Sequence, residues 1–171
     1  MLIPSSVVRG CTGLSWNDIT WGYKHQMLGW SAPVELAVDR LIAGSNDPLE
    51  VELAGLQKSE AHQVGELLQR LALREGPADD VLSKRKWLYL NLCWLFNNRK
   101  NVLDPLGEIE VLYADFDYPS EIKNFIGYMP ATDGYNPGQH SMAENEQRLF
   151  ERWKQYLLRT EHQLGVSCSS T

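Results

Sequence analysis

Apolar residues recur along this chain at intervals of three and four, the spacing that lines one face of an α-helix. Trp16, Ile19, Tyr23 and Met27 form such a series behind Ser15, which makes a capping box with Asp18. A second series, Val34, Ala37 or Val38, and Leu41, has Ser31 as its expected cap and stops at Gly44. Asp47 and Pro48 then restart the chain as a helix, because the carboxylate can accept from free amides and proline has no amide to leave unsatisfied. Val64, Leu67, Leu68 and Leu71 carry the next helix as far as the break at Glu75, Gly76 and Pro77. The fifth runs from about Ala78 to Asn98 and is apolar on nearly every side in its second half, which predicts a central, buried helix.

Asp104 and Pro105 repeat the capping arrangement ahead of Leu106, Ile109, Leu112 or Tyr113, and Phe116. Ile109, Val111 and Tyr113 also alternate with charged or smaller residues, so a strand remains open here. Pro119 starts a short helix with Ile122, Phe125 and Ile126. Prolines and glycines make Met129 to His140 a loop, and the tyrosines around it favour an ordered one. Ser141 and Glu144 form a second capping box for a last helix with Leu149, Trp153, Tyr156 and Leu157 as its apolar stripe. The expectation is an all-α fold of about seven to eight helices. Residues 14–162 form a single helical domain, 1–13 a partly ordered segment, and 163–171 a mobile tail. The segments Asn46 to Leu53 and Leu103 to Leu112, both built on Asp-Pro-Leu, leave a helix-pair repeat possible.

The chain has 171 residues, enough for one ordinary domain. Its start lacks the basic segment and apolar run of a signal peptide, so a cytoplasmic location is expected. The most apolar stretch, Trp87 to Phe96, is about half of what spans a bilayer. Three widely spaced cysteines, Cys11, Cys93 and Cys168, fit neither a disulfide framework nor a zinc site.

Charge changes the picture more. The net charge is −6 and the pI about 5.2, which argues against nucleic acid and anionic lipid as partners, since both call for a basic stripe. From Asn101 to Gln147 there are nine acidic residues and one basic residue, Lys123. The same stretch holds the densest aromatic cluster, between Tyr113 and Ser141. An acidic, aromatic surface suits a basic protein partner. Asp115, Asp117, Glu121 and Asp133 are the candidate charges, with Tyr118, Tyr128 and Tyr135 as anchors, because tyrosine buries much area with few rotatable bonds. Against this, Phe116, Tyr118, Phe125 and Tyr128 could simply close the core, with an aspartate capping the next helix.

Lys86-Trp-Leu-Tyr-Leu90, Tyr113-Ala-Asp-Phe-Asp-Tyr-Pro119 and Tyr128-Met-Pro-Ala-Thr-Asp-Gly-Tyr135 resemble the signature of an uncharacterised bacterial family known as domain of unknown function 2247, over roughly Leu14 to Leu158. No catalytic residues come with the resemblance. It implies an immunity protein, the antidote to a polymorphic toxin. Such a protein could fill the basic cleft of a nuclease, carboxylates standing in for phosphates and rings for bases.

Other chemistry has less support. An enzyme would use Asp115, Asp117, Asp133 and His140 around a cleft under the loop, and a helical scaffold would show large exposed apolar patches. Asp115 and Asp117 alone are too few ligands for a metal, and His25, His62, His140 and His162 share no i, i+4 spacing. There is no Gly-x-Ser-x-Gly elbow and no phosphate-binding glycine loop, so no cofactor is expected. Lys84, Arg85 and Lys86 could touch RNA but suit a solvated helix face better.

Overall fold

A computed structural model describes residues 1–168. The fold is all-α, as the periodicity predicts, and regular strand among the described residues is confined to one two-residue ribbon. The described chain divides into two compact units, residues 1–90 with 164–168 and residues 91–163. The boundary falls inside a continuous helix, so no break in periodicity or composition marks it.

The first unit holds α1 (Ser5–Gly10), β1 (Cys11–Thr12), α2 (Trp16–Lys24), α3 (Ser31–Ile42), α4 (Pro48–Ala54) and α5 (Val64–Glu75). It also takes the opening turns of α6 (Asp80–Asn98) and, from the other end of the chain, β2 (Ser167–Cys168). The Ser15 capping box forms as expected, with the hydroxyl accepting from the Asp18 amide and the Asp18 carboxylate accepting from the Ser15 amide. Asp47 caps α4 by accepting from the Leu49 amide. Ser31 is not a cap. Trp30 already has helical backbone angles, so Ser31 lies inside the first turn and cannot adopt the extended geometry that capping needs.

α2 packs on α5, α3 on α4, α1 on α3 and α4 on α5. Ile19, Leu53, Leu68, Leu71 and Trp87 are fully enclosed at their centre. Gly22 lets α2 meet Trp87 closely, since a Cβ there would lie 2.1 Å from the indole. A buried charge cluster in this unit is centred on Asp18. Lys86 Nζ donates to Asp18 at 2.7 Å and to the Gly13 carbonyl at 3.0 Å, while Ser83 donates to the second Asp18 oxygen at 2.8 Å. Lys86 is therefore no part of a basic surface patch. The expected mobile tail also differs: the last helix reaches Leu164, Val166 is buried, and Ser167 and Cys168 pair antiparallel with Thr12 and Cys11. The remaining tail lies outside the described residues.

The second unit takes the rest of α6, then α7 (Pro105–Asp115), a 3-10 turn at Ser120–Phe125, another at Pro137–Gln139, and α8 (Met142–Leu164) up to residue 163. The strand alternative for residues 105–115 is overruled, because Asp104 accepts from the Gly107 amide and Ile109, Leu112, Tyr113 and Phe116 are buried on one helical face. Aromatic rings fill this core: Trp153 has Phe96 edge-on at 5.0 Å and Phe125 stacked at 6.5 Å. An Asp-Pro-capped helix is followed by a 3-10 turn and a further helix in both units, the turn of the first being Lys58–Gln63, while the second has an extra 3-10 turn at Arg99–Asn101 before α7. The capped helices differ in length, seven residues for α4 and eleven for α7.

Candidate partner-binding surface

α7 ends in a way that displays aromatic side chains. The Tyr118 amide donates to the Tyr113 carbonyl at 2.8 Å and the Asp117 amide to the Ala114 carbonyl at 3.1 Å, the paired bonds of a Schellman ending. Glycine usually provides the left-handed residue of that motif. Here Asp117 has φ +61° and Tyr118 has φ +56°. A left-handed backbone costs an ordinary L-residue roughly 1–2 kcal/mol. Tyr118 also precedes Pro119, and a following proline drives a residue toward extended backbone. Ile122, Phe125 and Ile126 are buried just beyond, and their packing anchors the chain that follows the strained pair.

The rings of this turn form a cluster. Tyr113 is buried and serves as its floor, with Tyr118 edge-on at 5.2 Å and Tyr128 tilted at 6.5 Å. Tyr118 and Tyr128 remain 60% and 58% exposed, so packing alone does not account for them. Desolvation, followed by the neighbouring Tyr113, Glu110 and Tyr118, raises the Tyr128 phenol above the usual tyrosine range. Gly127 lies beside Glu110, whose Oε1 would sit 3.0 Å from a Cβ there. Asp115 and Asp117 are exposed on the same end of α7. Phe116 and Phe125 belong to the core.

The other candidates lie elsewhere. Glu121 lines a hollow with Asn124, Phe125, Arg152 and Arg159. Asp133 is engaged by its own chain, accepting from Arg148 at 2.8 and 3.0 Å and from Arg152. The Arg148 hydrogen bond is the main cause that holds the Asp133 carboxyl below its ordinary range. Tyr135 lies between the Arg148 guanidinium, 3.9 Å from its ring centre, and a stacked His140 at 4.5 Å. Its hydroxyl donates to Asn145 at 2.7 Å, and Asn145 donates to the Pro137 carbonyl at 3.1 Å. The loop is thus clamped onto α8, whose Ser141–Glu144 capping box forms as predicted.

Asp133 and Tyr135 therefore work as loop fasteners. Arg148 and Arg152 begin one residue past the acidic window and fold back on it, which a count along the sequence cannot see. Their i, i+4 spacing after a capping box was the available signal. Beneath the loop is a cavity of about 190 Å³ lined by Lys123, Tyr135, Asn145, Arg148 and Arg152 among others. Asp115, Asp117, Asp133 and His140 do not line it, so the four-residue catalytic cleft does not assemble there. Among the described residues, no group of three or more histidines, cysteines or carboxylates is gathered as metal ligands would be. No helix there is long and apolar enough to cross a membrane.

A family model described as "Uncharacterized protein conserved in bacteria (DUF2247)" matches residues 6–161. The chain belongs to that family. The DUF2247 match is wider at both ends than the segment 14–158 carrying the resemblance, and it takes in both the tyrosine cluster and the clamped loop. No curated protein and no solved structure matches this DUF2247 chain.

Proposed function

We propose that this DUF2247 protein is an immunity protein, which binds a basic toxin domain and covers its active site. The observation that carries the reading is the tyrosine cluster, two half-exposed rings on a buried third, with Tyr118 held in a strained backbone. Strain of this kind is retained where a surface must be preorganised, and exposed tyrosines on a rigid base are good interface anchors. Glu110, Asp115 and Asp117 lie on the same helix and its end, giving the surface its negative charge. The chain's net charge of −6 would draw a basic partner toward it. With Asp133 and Tyr135 committed to the loop, binding is assigned to Asp115, Asp117, Tyr118 and Tyr128, with Glu121 at the margin. The site of action in this reading is the cytoplasm.

The test is co-expression with the protein encoded immediately upstream, followed by co-purification and a growth assay. A stoichiometric complex and rescued growth are expected. Replacing Tyr118 and Tyr128 together by alanine should weaken the complex by about a thousandfold, because anchors of this type are each worth about 2 kcal/mol or more. A neighbour that forms no complex, or a complex indifferent to both tyrosines, overturns the proposal.

A further inference from the structure

We propose that the cavity beneath the 129–140 loop binds a small molecule bearing a phosphate monoester, held by Arg148, Arg152 and Lys123, with Asp133 pairing both arginines from outside the cavity lining. Arg148 and Arg152 are successive turns of one face of α8, and both reach Asp133. Lys123 comes from the 3-10 turn to line the same cavity, and its side chain has no ion-pair partner among the described residues. In an acidic protein, three cations and no carboxylate among the described residues lining one small cavity stand out from their surroundings.

The charge and the donors both match a phosphate. Three cations and Asp133 leave two positive charges, and a phosphomonoester carries about −1.5 to −2 at neutral pH. Arg148 gives only Nη2 to Asp133, and Arg152 gives Nη2 to Asp133 and Nη1 to the Asn124 carbonyl. Each guanidinium has five N–H donors in a planar fork suited to phosphate oxygens, so donors remain on both. Tyr135 supplies a flat wall, fixed by Arg148 on its ring and Asn145 on its hydroxyl.

The cavity, about 190 Å³, is large enough for a phosphate and a short stem. A nucleic acid strand would need a basic track across the surface, and the chain carries −6 overall. The site uses neither Tyr118 nor Tyr128, so it stands or falls independently of the toxin-binding reading.

Isothermal titration calorimetry at constant ionic strength, with inorganic phosphate and glycerol phosphate as probes and chloride as control, tests the site. Both probes should bind and chloride should not. Asp133→Asn keeps a carbonyl oxygen to fasten the loop to the arginines while removing the opposing charge, and should tighten phosphate about tenfold. Lys123→Gln, at an exposed position that no folding contact needs, should weaken it about tenfold. The proposal is overturned by no binding at roughly 10 mM in both the wild type and Asp133→Asn. It is equally overturned by Lys123→Gln binding as the wild type does, or by a site that takes inorganic phosphate and rejects the monoester.

Discussion

Asp117 and Tyr118 are the residues where local preference and observed conformation disagree most. Both take positive φ, and the helix ending they make is one that glycine would form without strain. Asp117→Gly should therefore raise stability by up to about 1 kcal/mol, read as a higher thermal midpoint. A loss of stability would show that the Asp117 side chain holds the turn. Asp18 is the centre of the buried cluster with Lys86 and Ser83. Desolvation would raise its pKa, but hydrogen bonds from Lys86, Ser15 and Ser83 outweigh that and lower it. A carboxylate with a depressed folded pKa stabilises the fold above its unfolded value of about 3.9, and that contribution disappears as pH falls through the folded value. Asp39, Asp47, Asp133 and Glu144 shift in the same direction. Denaturant midpoints should accordingly stay level from about pH 5 to 8 and decline below about pH 4. Asp18→Asn should cost about 3–5 kcal/mol, because it leaves the Lys86 ammonium buried without its counter-charge.

Among the elements, α2 depends most on others. Its first two amides, Trp16 and Asn17, donate to the two oxygens of Glu75 at 2.9 Å each, so the end of α5 caps the start of α2. Its middle meets α6 at Gly22, and Trp87 Nε1 donates to the Asp18 carbonyl at 2.7 Å. Gly22→Ala should cost about 1–3 kcal/mol despite alanine's better helix propensity, since the indole is enclosed and cannot move aside. Equilibrium unfolding would decide it, and an unchanged or stabilised variant would mean the α2–α6 packing is looser than these distances imply. Helix boundaries were legible in the sequence wherever donor and acceptor lie within three residues, as at Ser15, Asp47, Asp104 and Ser141. The Glu75 cap was not legible, because its partners are 58 and 59 residues away. Ser31 failed for a related reason: the sequence showed a capping residue, but the backbone of Trp30 had already turned helical.

At the scale of the whole molecule, the charge distribution should govern how quickly a basic partner arrives. Association of the proposed complex should slow steeply between low and physiological salt, and stopped-flow measurements would show it. Asp115→Asn with Asp117→Asn should reduce that dependence, whereas the two tyrosine substitutions should act mainly on dissociation. The amino-acid sequence by itself determined the all-α class and most helix starts. It also pointed to the family signature. Those properties depend on periodicity and on hydrogen bonds between near neighbours, which are written in consecutive residues. Only the tertiary structure decided which charges stay available. Asp133 is held by arginines 15 and 19 residues further on, and Lys86 is withdrawn by Asp18, 68 residues earlier. An ion pair forms wherever the folded backbone brings opposite charges together, and spacing along the chain does not encode that meeting.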